Sequence, residues 1–269
     1  MTTPLAGATP AAGTISNQTT TALDSVPAPG RAPVGEAVSV LDEAPHPVAV
    51  PRLEILGATV RGARGAVFGP LDAQSFAPIT IVLGNRGSGR TSLLLSAAGR
   101  MRIDQGTVKV CGIDARTDAG HVRRLTGIAG FDAIDLLESG ATVAEAIRER
   151  LTWISPWYRR VPRLREEDVA RTLRPTFGPL SQPGAATLVR DVTEAQELLL
   201  RISLALLEGP RVIVVDDLDD VKDPSERAAV ADRITALTVE GVVFILGSAD
   251  ERDLALFSPE SRAVVALDR

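Results

Sequence analysis

Several residue types are scarce in this sequence of 269 residues, and each scarcity excludes a class of protein. Cys111 is the single cysteine, so a disulfide framework within the chain is excluded and a reducing compartment is expected. No apolar run approaches the roughly 20 residues that span a bilayer, and no signal-peptide pattern opens the sequence. We therefore expect a cytoplasmic protein without a membrane span of its own, consisting of one globular domain with an appendage.

Lysine and histidine are also scarce, which limits the partners to be considered. Lys109 and Lys222 are the only lysines among 29 basic residues, so nearly every cation is an arginine. The arginines are scattered and the formal net charge is -5, so no nucleic-acid partner is expected. His46 and His121 do not have the spacing of zinc ligands, and no zinc site is expected.

The composition changes near residue 50. Residues 1–50 are rich in Ala, Thr, Pro and Gly and contain no aromatic residue, which predicts a disordered tail. Residues 51–269 alternate short apolar runs with helix-compatible stretches, which is typical of an α/β domain with a mainly parallel, buried sheet. The predicted strands are 79–83, 212–215, 242–246 and 263–267, and the predicted helices are 92–100, 142–151, 166–173, 194–207 and 224–237.

A glycine-rich loop separates the first of these strands from the first helix. Its glycines let backbone N–H groups converge on an anion, and the dipole of the following helix favours negative charge. The loop follows the phosphate-binding pattern G-x-x-x-x-G-K-[ST], with Arg90 in the lysine position and Thr91 placed to ligate Mg²⁺. The alternative is a turn that binds nothing. The predicted nucleotide-binding residues are Gly84, Asn85, Arg86, Gly87, Ser88, Gly89, Arg90, Thr91 and Ser92.

Two carboxylates follow the predicted strand 212–215. P-loop proteins hold Mg²⁺ and orient the attacking water with acidic residues in this position. Asp216 is therefore the predicted metal residue, acting through bound water, and Asp217 is the predicted general base. The alternative is a buried strand that emerges into an acidic surface loop.

Residues 53–269 resemble the ATP-binding cassette (ABC) ATPases. The segment 192–196, Val-Thr-Glu-Ala-Gln, ends 20 residues before Asp216, where that family has its L-S-G-G-Q signature. Pro210 matches a proline of the family, and residues 217–224 align with its motif E-P-T-S-A-L-D-P, with Asp223 as the D-loop aspartate. Residues 53–72 resemble the first antiparallel strands of the family, and residues 141–147 resemble its motif L-T-V-x-E-N-I.

This resemblance implies both a fold and a set of partners. The fold is a P-loop NTPase of the ABC type: a mainly parallel RecA-like core sheet with helices, a small antiparallel β part, and a helical subdomain at about residues 138–192. The cofactors are ATP and Mg²⁺. The partners are another ABC ATPase, in a homo- or heterodimer, and a separate integral membrane permease, so the chain would lie at the inner face of the cell membrane.

The chain departs from the family pattern at positions that serve catalysis. The signature has lost both glycines, and Asp217 is one methylene shorter than the usual catalytic glutamate. Other departures are Arg61 and Gly62 where an aromatic residue stacks on adenine, Phe131 or Asp132 at the Q-loop glutamine, and Ala249 at the switch histidine. We therefore expect weak or absent hydrolysis by the chain alone. Arg90 adds little to this expectation, because the chain uses arginine nearly everywhere.

Residues 193–196 also fit a structural role. Thr193 as N-cap and Gln196 three positions later form a capping box, and Glu194 suits the positive end of the helix dipole. Asp223 followed by Pro224 fits a helix start in the same way. In the family the signature helix contacts the γ-phosphate held by the other subunit. Because Glu194 would place a carboxylate there, a symmetric ATP-bridged dimer is not expected.

Three of the nine aromatic residues lie close together in the predicted helical subdomain. Trp153, Trp157 and Tyr158 are followed by Arg159 and Arg160. Trp, Tyr and Arg are enriched at interface hot spots, which predicts a docking surface for the permease. The alternative is packing inside a small helical subdomain.

Two functions remain open at this point. The first is an ATP-binding subunit that couples nucleotide binding, with weak or absent hydrolysis, to a separate membrane permease. The alternative is a pseudo-ATPase outside transport that acts as a nucleotide-sensing or scaffold protein. A P-loop GTPase is disfavoured, because the base-reading motif N-K-x-D does not occur.

Overall fold

A computed structural model of the chain describes residues 49–63, 65–132 and 134–267, so the predicted tail lies outside the described residues apart from its last two. The described residues form the strands β1 (Leu53–Gly62), β2 (Gly65–Ser75), β3 (Ile79–Leu83), β4 (Gln105–Val110), β5 (Ile113–Asp114), β6 (Thr126–Ala129), β7 (Val212–Val215), β8 (Val243–Ser248) and β9 (Arg262–Ala266). They also form the helices α1 (Arg90–Ala97), α2 (Ala119–Leu125), α3 (Val143–Ile154), α4 (Glu166–Phe177), α5 (Glu194–Leu206) and α6 (Pro224–Val239). None of these helices is both long and apolar enough to cross a membrane.

The strands form two sheets. Five parallel strands form the core sheet in the order β6-β7-β8-β3-β9, and β2-β1-β4-β5 form an antiparallel sheet. The predicted parallel core and small antiparallel part are therefore confirmed. Because parallel strands all end at the same edge of a sheet, the segments that follow β3 and β7 emerge on that edge, with only β8 between them.

Both faces of the core sheet are buried at β3, β6, β7 and β8, whereas the edge strand β9 exposes Val264. Successive side chains of a strand point to opposite faces, so Ile213 and Val215 of β7 pack with the helices, whereas Val212 and Val214 pack between the two sheets. Burial on both faces explains why the core strands are continuous apolar runs without polar alternation.

Local signals set the beginnings of two predicted helices. Thr193 and Gln196 form the predicted capping box at the start of α5. The Asp223 side chain accepts hydrogen bonds from the backbone N–H groups of residues 225 and 226, and Pro224 is the first residue of α6. Both predicted caps are confirmed.

All five predicted helices differ from the structure by one or more residues at an end, and the differences at α1 and α4 have identifiable physical reasons. Helix α1 begins at Arg90 rather than at residue 92, because the glycine-rich loop leads directly into its first turn, and the left-handed Gly99 (φ 67°) lies just beyond its end. Helix α4 continues past residue 173 to Phe177 with Pro175 inside it. Arg233 donates hydrogen bonds to the carbonyl oxygens of residues 175 and 176, so these terminal carbonyls have partners outside the helix.

Candidate functional site

The glycine-rich loop connects β3 to α1 and is fixed by close backbone contacts. The Gly84 N–H donates to the carbonyl oxygen of Ser248 at 3.1 Å, which joins the loop to the end of β8. Gly89 is left-handed (φ 92°), and a Cβ there would lie 2.5 Å from the carbonyl oxygen of Val67 in β2. Residue 89 therefore has to be glycine for the loop to lie against the antiparallel sheet.

An open cavity of about 290 Å³ lies beside this loop. The first turn of α1 contains no acidic residue, so this turn places no negative charge at the cavity, and Asp217, from the segment after β7, is the acidic residue of the lining. Two of the predicted nucleotide-binding residues, Gly84 and Ser88, are buried in the loop and do not line the cavity. The lining residues are Val67, Asn85, Arg86, Gly87, Gly89, Arg90, Thr91, Ser92 and Asp217.

The Arg90 side chain is engaged by the acidic segment that follows β7. Its Nη1 donates to the carbonyl oxygen of Gly84 at 2.8 Å, and its Nε lies 3.4 Å from Asp216 Oδ1. Its Nη2 contacts the Asp217 carboxylate and lies 3.9 Å from Asp219 Oδ1. Since the side chain is only 8% exposed, the guanidinium is a buried partner of these carboxylates as well as part of the cavity wall.

Burial raises the pKa of both Asp216 and Asp217 above the usual aspartate value. For Asp216 the loss of solvent is the largest cause, and a hydrogen bond with Thr91 and the charge of Arg90 oppose it. For Asp217 the loss of solvent comes first and the charge of Asp216 second, again opposed by Arg90. The two predicted metal residues, Thr91 and Asp216, are therefore neighbours, and both carboxylates depend on Arg90 to compensate their desolvation.

Two glycines make room for Asp216. A Cβ at Gly247, in β8, would lie 2.8 Å from Asp216 Oδ1 and 3.2 Å from Arg90 Cδ. A Cβ at Gly130, which is left-handed (φ 80°), would overlap the carbonyl oxygen of Asp216. The close approach of Asp216 to Arg90 is thus built into the packing of neighbouring strands.

A second cavity, of about 260 Å³, lies between the start of α5 and the segment after β7. Asp217 lines both cavities. Glu194 also lines the second cavity, and its Oε2 accepts a hydrogen bond from the backbone N–H of Lys222 at 2.6 Å. The residue that replaces the first signature glycine therefore ties α5 to the segment that precedes α6. The lining residues are Gly130, Asp132, Glu194, Glu197, Leu198, Arg201, Asp217, Asp220, Val221 and Lys222.

The predicted Q-loop position is held by a buried arginine. Of the two candidates, Phe131 is buried, whereas Asp132 lines the second cavity with its Oδ1 3.5 Å from Arg201 Nη1. Arg201 also pairs with Glu197 at 2.5 Å and with Asp135 at 3.7 Å. The Asp135 carboxylate accepts hydrogen bonds from the N–H groups of residues 130 and 131, which fixes the backbone of this segment.

The predicted switch position, Ala249, is held through its backbone. Its N–H donates to Asp219 Oδ1 at 3.1 Å. Next to it, the Ser248 hydroxyl donates to the buried carboxylate of Asp253 at 2.6 Å. Arg227 pairs with Asp253 at 3.0 Å and donates to the carbonyl oxygen of Val221 at 2.7 Å. These contacts connect the segments after β7 and β8 without the side chain of residue 249.

The aromatic cluster is exposed. Trp153, Trp157 and Tyr158 are 71%, 96% and 74% exposed, and the Arg150 guanidinium lies 5.9 Å from the centre of the Trp153 ring. The alternative that these side chains pack inside the helical subdomain is therefore wrong. Exposed groups of large apolar side chains often mark sites of protein–protein or membrane interaction.

Several residues of the site were not identified from the sequence. The pair Glu197 and Arg201 could have been found from its i, i+4 spacing on a predicted helix. Asp135, Asp219 and Gly247 had no local signal, because their roles depend on contacts with residues distant in the sequence.

Comparison with known proteins identifies relatives over part of the chain, although no protein-family model matches it. The chain is 31% identical over 166 residues to the ribose import ATP-binding protein RbsA of Cereibacter sphaeroides, and the match covers 61% of this chain and 30% of that protein. It is 27% identical over 165 residues to the Nod factor export ATP-binding protein I of Burkholderia orbicola, covering 61% and 51%. It is 27% identical over 190 residues to the daunorubicin resistance ATP-binding protein DrrA3 of Streptomyces coeruleorubidus, covering 71% and 54%. The matched part spans about half or less of these relatives.

Solved structures share the fold at low sequence identity. The structure of cbiO1 from Clostridium perfringens, part of the ABC transporter complex cbiONQ, has a TM-score of 0.61 at 17% identity, covering 79% of this chain and 86% of that chain. A dimeric bacterial ABC transporter cassette has a TM-score of 0.60 at 15% identity, covering 80% and 94%. The chain is thus related in sequence to ABC ATP-binding proteins and has the fold of an ABC ATPase cassette, a P-loop NTPase fold of the α/β class.

Proposed function

We propose that the chain is an ATP-binding subunit whose loop, residues 84–92, binds the phosphates of the nucleotide. The supporting observation is the open cavity at the start of α1. Most of its lining residues belong to the loop, and the first turn of α1 contains no acidic residue. Arg86 is exposed at this cavity, and Arg90 forms part of its wall. Backbone N–H groups, a helix N-terminus and arginine side chains are the groups that bind phosphate in proteins.

Calorimetric titration of the purified chain with ATP tests this proposal. Saturable binding is expected, and Arg86→Ala should weaken it about five- to tenfold because one cation at the cavity is removed. Arg116→Ala is the matched control, since Arg116 is exposed but lies outside this cavity, and its affinity should stay within about twofold of the unmodified chain. Failure to detect saturable ATP binding, by calorimetry and by equilibrium dialysis, would contradict the proposal.

The proposal includes weak or absent hydrolysis by the chain alone. Asp217, the predicted general base, is one methylene shorter than the glutamate of the family, and its carboxylate already contacts Arg90, so it is less available to a water molecule. Glu194 supplies negative charge at the start of α5, where two unit charges about 4 Å apart repel by ~4 kcal/mol at an effective dielectric of about 20. Phosphate release by the purified chain should stay far below about 1 s⁻¹, and turnover above that rate would refute this part of the proposal.

Mg²⁺ at Thr91 and Asp216 is the metal that the sequence predicts for this site, and it stays a prediction. Both residues have oxygen atoms, the ligand type that Mg²⁺ prefers, but Arg90 already lies against the Asp216 carboxylate. Mg²⁺ binding at this site is tested separately, by measuring whether Mg²⁺ changes the affinity for ATP.

We also assign the chain a membrane permease as partner, at the cytoplasmic face of the membrane. The exposed group Trp153, Trp157 and Tyr158 supports this assignment, because large aromatic side chains and arginine dominate interface energetics. Trp157→Ala should weaken co-purification with an integral membrane protein without changing the unfolding midpoint. Phe76→Ala is the control, since it removes an exposed aromatic side chain elsewhere. Co-purification of soluble proteins only would instead favour the scaffold or nucleotide-sensing alternative.

The ATPase partner in this proposal is a second, more complete ABC subunit. Helix α5 begins with Glu194 and has Glu197 in its first turn, which disfavours a symmetric dimer bridged by two ATP molecules. Light scattering after gel filtration should show that the chain alone stays monomeric when ATP is added. An ATP-dependent homodimer would overturn the heterodimer assignment.

A further inference from the structure

The place predicted for Mg²⁺ already contains a cation that belongs to the chain. The Arg90 guanidinium lies 3.4 Å from Asp216 Oδ1, contacts Asp217 and lies 3.9 Å from Asp219. An arginine side chain keeps its positive charge at every pH at which proteins are folded. The negative charge of the acidic segment after β7 is therefore partly neutralised within the chain, by a group that cannot lose its charge.

This position of the guanidinium is enforced by packing. The Gly84 carbonyl oxygen accepts a hydrogen bond from Nη1 at 2.8 Å, and the side chain is 8% exposed. Gly247 gives these two side chains room to meet, because a Cβ there would lie 2.8 Å from Asp216 Oδ1 and 3.2 Å from Arg90 Cδ. The contact is thus supported from the loop on one side and from β8 on the other.

The residues present do not fit Mg²⁺. Mg²⁺ requires nearly octahedral coordination by oxygen atoms at about 2.0–2.1 Å. Asp216 is predicted to hold Mg²⁺ through bound water, but its Oδ1 already accepts hydrogen bonds from Arg90 Nε at 3.4 Å and from the Asp217 N–H at 3.0 Å. A divalent cation on this carboxylate would also lie beside the permanent charge of the guanidinium, and like charges at such distances repel strongly.

We propose that Arg90 takes the place of the divalent cation, so that the site binds a nucleoside triphosphate without metal. This inference rests on the proposed nucleotide binding by residues 84–92 and specifies its ligand as the metal-free nucleotide. A guanidinium has five N–H donors, and the contacts with Gly84, Asp216 and Asp217 use three of them. The remaining donors belong to a side chain that lines the cavity, where they can bind phosphate oxygens.

The test compares the affinity for ATP in excess EDTA and in excess MgCl₂. For the unmodified chain the two dissociation constants should agree within about twofold. Arg90→Lys replaces the planar fork by a compact ammonium that cannot span two carboxylates, so Mg²⁺ should tighten ATP binding by about tenfold or more in this variant. Arg100→Lys is the matched control, a partly buried arginine just beyond α1, and it should show no gain in metal dependence.

Each outcome decides a different question. If Mg²⁺ tightens binding about tenfold or more in the unmodified chain, the inference is wrong and the proposed nucleotide binding stands. If ATP binds in neither buffer, nucleotide binding itself is wrong and the inference falls with it. If Arg90→Lys folds, as judged by circular dichroism, and stays insensitive to Mg²⁺, Arg90 is not the source of the metal independence. The unmodified chain alone decides the matter if that variant does not fold.

Discussion

The beginnings of helices α1 and α5 have opposite environments. Helix α1 follows Gly89, which provides no side-chain cap, and its first turn has no acidic residue and lines an open cavity. Helix α5 follows Thr193, whose side chain caps it, and its first turn contains Glu194 and Glu197. One N-terminus is left open to a ligand, whereas the other is closed by side chains of the chain itself.

This difference shows how one chain uses the same physical feature in two ways. Every helix N-terminus has unpaired N–H groups and the positive end of a dipole, and both attract negative charge. At α1 the first turn supplies no negative charge of its own, and the cavity beside it is open to an anion. At α5 it comes from Glu194, which also accepts the hydrogen bond from Lys222, so the signature segment serves the fold instead of a second subunit's phosphate.

The largest effect is expected from adding a methyl group to the glycine that precedes α1. Gly89→Ala should lower the free energy of unfolding by about 3 kcal/mol, because Ala is strained at φ 92° and its Cβ would press on the Val67 carbonyl oxygen. It should also abolish ATP binding, since the loop has to move. Urea unfolding and calorimetric titration measure the two effects.

Gly241→Ala is a closely matched control for this change. Gly241 has nearly the same backbone angle (φ 94°), but no atom lies within 4 Å of the Cβ it would gain. The free energy of unfolding should therefore fall only by the cost of the backbone strain, about 1 kcal/mol, and ATP binding should be unchanged. Equal losses in the two variants would show that the contact with Val67 does not hold the loop.

The next effect comes from giving α1 the acidic first turn that α5 has. Ser92→Glu should weaken ATP binding by about tenfold or more, equivalent to about 1.4 kcal/mol, because a carboxylate then faces the phosphates. The free energy of unfolding should not fall, since an acid in the first turn favours the helix. Ser92→Gln has the same size without the charge and should change affinity by less than about threefold. A comparable loss in both variants would assign the effect to size instead of charge.

The sequence alone predicts the α1 side of this comparison better than the rest of the site. Strand, glycine-rich loop and helix follow each other within residues 79–97, so the pattern is local and the structure places them as expected. The caps at Thr193 and Asp223 are predicted for the same reason, because their partners lie two or three residues away. The parallel core follows from continuous apolar strands separated by helices.

The direction of the Arg90 side chain could not be predicted in this way. Its partners Asp216 and Asp217 lie more than a hundred residues further along the chain, and the room for the contact comes from Gly247 in β8. The sequence supports two readings of Arg90, a phosphate ligand or a general preference for arginine. Only the packing of three strands at one edge of the sheet brings it against the carboxylates.

A smaller effect is expected from removing the cap of α5. Thr193→Ala should lower the free energy of unfolding by about 1 kcal/mol, because the N–H of Gln196 loses the side-chain oxygen that accepts its hydrogen bond. Thr193→Ser keeps a hydroxyl and should lose only a few tenths of that amount. ATP affinity should be unchanged in both, and a weakened affinity in Thr193→Ala would show that the signature segment still contributes to the nucleotide site.

The smallest effect is expected from Glu194→Gln, which separates the charge at α5 from its hydrogen bond. The amide oxygen of glutamine can still accept from the Lys222 N–H, so the stability should fall by only about 0.5 kcal/mol, the contribution of a charge at a helix N-terminus. Glu194→Ala also removes the acceptor and should lose about 1 kcal/mol. ATP affinity of the chain alone should stay within about twofold in both variants, because this end of α5 faces a separate cavity. If Glu194→Gln instead formed dimers when ATP is added, the negative charge of Glu194 alone would be what keeps a second subunit's phosphate away from the start of α5. The capping box would then contribute little to this effect.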